Sequence, residues 1–125
     1  MTIYGPRNSH RVGMSKSLLH EIRLAFCKAH ILHHAAIHPV YGLWLLEELA
    51  EHGHHLSPGT LYPILVRMTD AGLLRADKET SGNARRHYRA TAKGRRALAQ
   101  LRKEIVELHR EVVPGPAARG RAKAE

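Results

Sequence analysis

The sequence predicts a mainly α-helical fold carrying one small β-hairpin, and three observations predict it. Long stretches repeat apolar residues every three to four positions, the period of a helix with one buried face. Two of these stretches, residues 41–52 and 57–71, are separated only by Gly53 and the short turn His54 to Leu56. Two extended pieces follow, residues 73–79 and 85–90, and they flank Ser81, Gly82 and Asn83, which are turn formers. The chain has 125 residues, enough for one domain with a modest core.

Residues 1–15 include Gly5, Pro6, Asn8, Ser9 and Gly13 with no apolar period, which predicts a flexible arm. A first helix is expected over 16–37, burying Leu18, Ile22, Ala25, Ala29, Leu32 and Ala36, and Pro39 ends it. The second helix is expected to bury Leu43, Trp44, Leu46 and Leu49, leaving Glu47, Glu48 and Glu51 wet, with Gly53 as its C-terminal cap. Ser57 and Pro58 read as N-cap and first residue of a third helix, which buries Leu61, Leu65 and Met68 and stops at Gly72. Pro63 lies near that helix start, where a missing donor is expected to cost little. Thr91 caps a last helix running to about Val113. The tail, 114–125, is rich in Pro, Gly, Ala and Arg and is expected to be disordered.

Helix, helix, tight turn, helix, hairpin, helix is the order of a winged helix-turn-helix with an added N-terminal helix and a C-terminal dimerisation helix. The domain spans 16–90 and the last helix 91–113. Charge agrees with this. Lys and Arg number 20 against 11 Asp and Glu, a net charge of +9 that favours a polyanionic partner. Eight bases, Arg75, Lys78, Arg85, Arg86, Arg89, Lys93, Arg95 and Arg96, fall where only Asp77 and Glu79 oppose them. The expected partner is double-stranded DNA.

At this point the residues resemble a known family. The runs Pro39-Val40-Tyr41-Gly42-Leu43, Leu56-Ser57-Pro58-Gly59-Thr60-Leu61-Tyr62-Pro63, Gly72-Leu73-Leu74 and Arg85-Arg86-His87-Tyr88-Arg89-Ala90-Thr91-Ala92-Lys93-Gly94 are similar to the PadR family of bacterial regulators. The likeness extends over roughly 18–112, and the single short C-terminal helix resembles the short subgroup. It implies a winged helix-turn-helix, a homodimer and, as a rule, transcriptional repression.

In the residue-level reading, Ser57, Gly59, Thr60 and Tyr62 sit at the N-terminal end of the third helix. Small residues and free N–H groups there suit a phosphate, and Thr60 and Tyr62 can also meet base edges. Arg67 lies nearly two turns on, within reach of the backbone or of Asp70. Tyr41 is a candidate phosphate ligand, and Asn83, Arg85 and Arg86 serve the wing. Arg89 and the group Lys93, Arg95 and Arg96 have the plainer alternative of solvating the last helix. That helix spaces Leu98, Leu101, Ile105, Leu108 and Val112 by three and four, the pattern of a two-helix seam, so a dimer on a palindromic operator is expected.

Cys27, His30 and His34 share one side of the first helix, and His52, His54 and His55 cluster after the second. Such ligands suit zinc, so a metal-responsive regulator is an alternative, as is a low-specificity architectural DNA-binding protein. The preferred reading has no metal and no cofactor. Enzyme motifs are missing: no P-loop, no Rossmann glycines and no serine elbow, and His109-Arg110-Glu111 lacks the cysteines of a deaminase. No segment has a membrane span's length of apolar residues, the first fifteen residues lack a signal-peptide core, and one cysteine fits a reducing compartment. A cytoplasmic protein is expected. With no separate ligand domain, a small-molecule effector would bind between the helices or at the dimer interface.

Overall fold

The computed structural model describes residues 7–77 and 86–115, with side chains from Ser17 onward. Its elements are α1 (Arg7–Ile37), β1 (Val40–Tyr41), α2 (Gly42–Glu51), α3 (Pro58–Asp70), β2 (Leu74–Ala76), β3 (His87–Ala90) and α4 (Ala92–Val112). The fold class is the expected one, mainly α with a small antiparallel sheet.

α1 begins at Arg7, inside the stretch expected to be a flexible arm. No proline interrupts residues 7–37, and Gly13 alone does not stop a helix that continues into a well-packed segment. Its buried face also differs from the expected one. Leu32 is buried as expected, but Cys27, Ile31 and Ala35 are buried with it, whereas Leu18, Ile22 and Ala25 are exposed. The helix carries apolar residues on more than one face, so spacing alone does not choose the inner one. In α2 the same ambiguity arises from consecutive Leu43, Trp44, Leu45 and Leu46. Leu45 and Leu49 fill the core, Trp44 and Leu46 are half-buried, and Leu43 is exposed.

The third helix follows its pattern closely. Leu61, Leu65 and Met68 are buried as expected, joined by Ile64. Ser57 caps it, its Oγ accepting from the Thr60 N–H at 3.2 Å. Both α2 and α3 end in the same motif. Gly53 and Gly72 take φ of +92° and +82°. His54 N–H donates to Leu49 C=O at 2.8 Å, and Leu73 N–H to Met68 C=O at 2.9 Å. These bonds satisfy carbonyls that each helix end would otherwise leave open. Pro63 corrects one expectation. It is the sixth residue of α3, past the first-turn donors that lack a partner anyway, so it removes a real bond to the Gly59 carbonyl. The helix runs through it, anchored by Ile64, Leu65 and Met68 below.

The sheet has three strands in the order β1-β3-β2, all antiparallel. β1 was not expected, because two residues are too few to show alternation. Tyr88 pairs with both Val40 and Ala76 across the sheet. The expected hairpin survives as β2 and β3, while its tip, 78–85, lies outside the described residues. A core of Ile31, Leu32, Ala35, Val40, Leu45, Leu49, Leu61, Ile64, Leu65, Met68, Leu74, Tyr88, Ala90 and Leu98 joins all seven elements. Gly94 permits the tightest approach: a Cβ there would collide with the Leu73 carbonyl, so only glycine lets α4 start against the residue that leads into β2.

Candidate nucleic-acid interface

α3 is held by its buried stripe, which dictates what its other side shows. Gly59, Pro63, Val66, Arg67 and Asp70 are exposed, and Thr60 and Tyr62 are half-buried. Ser57 sits at the exposed N-terminal end, where its hydroxyl also donates to Thr60 Oγ1 at 3.3 Å. The cap engages the Ser57 hydroxyl and the Thr60 N–H within the chain, the Leu61 N–H donates to the Ser57 carbonyl, and Pro58 has no N–H, so of the first turn the Gly59 N–H is left for an outside acceptor. Arg67 makes no ion pair with Asp70 among the described residues, so its guanidinium is free to reach outward.

Tyr62 lies across the start of α2. A methyl built on Gly42 would stand 2.5 Å from a carbon of the Tyr62 ring. Gly42 is thus the condition for Tyr62 to lie where it does. Its neighbour Tyr41 is exposed, with its ring centroid 4.1 Å from that of His87 on β3. His87 Nδ1 in turn lies 3.1 Å from Asp77 Oδ2.

The outward face of the sheet carries a feature that linear charge counting did not locate. β-strand alternation turns Val40, Leu74, Ala76, Tyr88 and Ala90 inward. Tyr41, Arg75, His87 and Arg89 then share the outer face, and the register sets Arg75 directly opposite Arg89. Like charges directly opposite repel and destabilise a strand pair. A polyanion laid on that face would turn the repulsion into attraction. Tyr62, Tyr41, His87 and Arg89 thus form a path from α3 onto the sheet.

Other bases of the cluster have structural tasks. Lys93 Nζ donates to the Ala71 carbonyl at 2.8 Å, and Arg95 Nη1 to the Ala36 carbonyl at 2.9 Å. They cap the C-terminal ends of α3 and α1, where a positive charge also favours the helix dipole. The partners are 22 and 59 residues away in sequence, so spacing could not reveal them. Arg86 is half-buried, its guanidinium against the Tyr88 hydroxyl, whose pKa burial still raises. Asn83 and Arg85 lie outside the described residues.

The expected seam on α4 divides in two. Leu98 is buried and Leu101 half-buried against the domain, while Ile105, Leu108 and Val112 are exposed. Leu18, Leu19, Ile22 and Phe26 of α1 are exposed as well. Between the two helices lies a mostly apolar groove of about 520 Å³ whose walls include Phe26, Ala29, Leu98, Ile105 and Leu108, with His30, His33, His54 and Arg102 as its polar members.

The histidines gather at one end of α2. The His30 ring stacks on His34 at 5.0 Å and stands 4.9 Å from His52 and 5.7 Å from His54. Glu48 Oε2 lies 3.1 Å from His52 Nε2 and 3.6 Å from His34 Nε2, the latter within ion-pair range but beyond a hydrogen bond. Burial, reinforced by the neighbouring imidazoles, pushes the pKa of His30 and His34 below the ordinary histidine value, and the Glu48 charge only partly counters this at His34. Cys27 is buried, with its thiol pKa raised by that burial. Among the described residues, no three of His, Cys, Asp and Glu are arranged to hold a metal ion. Nor is any described helix long and apolar enough to cross a membrane.

The model of the PadR-like family of transcriptional regulators matches residues 31–100. Transcriptional regulator Rv3488 of Mycobacterium tuberculosis is 49% identical over 98 residues, covering 78% of this chain and 92% of its own. A PadR family transcriptional regulator from Eggerthella lenta has a similar crystal structure, with TM-score 0.63, 29% identity, and coverage of 80% of this chain and 89% of that one. A PadR-like transcription factor from Bacteroides fragilis gives 0.64 at 28% identity, covering 77% and 95%.

Proposed function

The chain belongs to the PadR-like family of transcriptional regulators, and from that premise we propose that it works as a homodimeric repressor on a two-fold-symmetric operator. Members of this family are regulators, not enzymes, and this chain is a DNA-binding regulator in the same sense. The observation that carries the finer reading is the exposed side of α3, with the Gly59 N–H at its N-terminal end, set beside the arginine face of the sheet. α3 enters the major groove with Ser57, Gly59, Thr60 and Arg67 toward the duplex, and Tyr41 and Tyr62 lie at its edge. Arg75, Arg89 and the wing residues Asn83, Arg85 and Arg86 follow the phosphate backbone.

Two copies joined through the exposed parts of α1 and α4, with Ile105, Leu108 and Val112 at the seam, would present two α3 helices to one face of DNA. Half-sites about one helical turn apart, or a multiple of it, would then form a palindrome. Such a regulator acts where the chromosome is, in the cytoplasm. The groove between α1 and α4 is the place for a small effector, since anything lodged there lies against the same helices that would carry the dimer.

Phosphate contacts release counterions and are blind to sequence, whereas groove contacts discriminate bases. Replacing both Arg75 and Arg89 by alanine is expected to weaken operator and random DNA alike and to flatten the slope of log affinity against log salt by about two per subunit. Thr60→Ala is expected to narrow the gap between operator and random DNA and leave that slope unchanged. Titrations of both duplexes at several salt concentrations check this. A specificity change from the arginine pair without a slope change would reverse the assignment.

A further inference from the structure

The side of α3 opposite the core is short of hydrogen-bonding groups. Successive residues turn by about 100° around the helix axis. With Leu61, Ile64, Leu65 and Met68 buried, the residues directly opposite are Gly59, Pro63, Val66 and Asp70, all exposed. Thr60 and Arg67 lie to one side of this stripe and Tyr62 to the other. Through its first two turns the stripe is a bare backbone, a pyrrolidine ring and an isopropyl group. Val66 is 53% exposed and Asp70, at the far end, is repelled by phosphates. α3 contains no Lys, Asn or Gln, and Arg67 is its one residue able to grip guanine with two bonds.

Pro63 and Val66 lie side by side on the face of α3 turned away from the core, so an apolar group in a groove that admits this helix would meet them directly. The major-groove edges of the bases supply one such group, the 5-methyl of thymine. We infer that α3 reads thymine methyl groups through Pro63 and Val66, so that each half-site holds thymine at one or two positions recognised without a hydrogen bond. Gly59, without a side chain, lets the helix approach closely enough for Pro63 and Val66 to touch them. Arg67 and Thr60, on the flank, then fix register beside the methyl contacts. This inference rests on the reading that α3 is the groove-entering helix.

The test uses the full-length protein and the duplex it selects from a random pool. Each thymine of the half-site is replaced by deoxyuridine, which removes only the methyl group. At one or two positions per half-site the substitution is expected to weaken binding about three- to fivefold, the effect of losing one buried methyl contact. Val66→Ala, on an exposed helix face, preserves the fold and should bring the thymine-to-uracil ratio at one of those positions close to one. The salt slope should not move, because no charge is altered. A tight, selected duplex that binds equally well with uracil at every position overturns this inference and leaves the operator reading standing. Full discrimination retained in both Val66→Ala and Pro63→Ala also overturns it. Failure to recover any shared sequence removes the operator reading and this inference together.

Discussion

The two ends of this molecule treat the same residue types in opposite ways. Around α2, α3 and the sheet, Leu45, Leu49, Leu61, Ile64 and Leu65 are fully enclosed by their own chain. On the outer parts of α1 and α4, Leu18, Leu19, Ile22, Phe26, Ile105, Leu108 and Val112 stay open. Apolar character does not separate the two groups; closure does. The first region is complete within one chain and positions α3. The second has its apolar stripes and lacks the surface to cover them, which a second copy of the same stripes would provide.

Substitutions can break this contrast from either side. The largest effect is expected inside the closed region. Leu65→Ala leaves a cavity in a fully buried site and should lower unfolding free energy by about 2–5 kcal/mol, measured by denaturant unfolding at fixed protein concentration. In the open region, Ile105→Glu combined with Leu108→Glu should leave the helical circular dichroism nearly intact while abolishing the concentration dependence of the melting temperature and weakening operator binding at least tenfold. Equal unfolding from both variants would erase the distinction. Ser57→Ala removes the cap of α3 and should cost about 1 kcal/mol with no effect on assembly, which a melt and a sizing run would read together.

The smallest effect concerns the histidine junction between the two regions. His30 and His34 face His33 on their own helix, Glu48 from α2, His52 at its C-terminal cap and His54 from the turn, while Arg102 of α4 reaches His33. Their folded-state pKa lies below that of the unfolded chain, ordinarily about 6.5, with burial the leading cause. The unfolded state therefore binds more protons as pH falls through the range just below that value. Stability present above about pH 6.5 is lost on acidification. The melting temperature should be lower by a few degrees at pH 5.5 than at pH 7.5, and His30→Leu with His34→Leu should shrink the difference.

What the sequence makes legible is what its local chemistry determines. Ser57 before Pro58, and the glycines at 53 and 72, mark helix ends because caps act within one turn of chain. The buried stripe of α3 is clear because its opposite face is distinct. The inner face of α1 is not, because Leu18, Ile22 and Ala29 make as good a helical stripe as Cys27, Ile31 and Ala35. Periodicity says that a face is apolar and is silent on which body covers it. The interface is legible to the same degree. Gly59, Thr60 and Arg67 follow from the helix assignment, whereas the opposition of Arg75 and Arg89 needs the strand register. The capping roles of Lys93 and Arg95 need the tertiary fold that brings helix ends to them.

The most direct test of the account is the mass of the protein in solution. Sedimentation equilibrium across the micromolar range is predicted to give twice the 14.0 kDa of one chain, falling to a single chain in the double variant at Ile105 and Leu108. A single-chain mass for the unaltered protein over that range would contradict it, leaving the open stripes of α1 and α4 without the partner assigned to them.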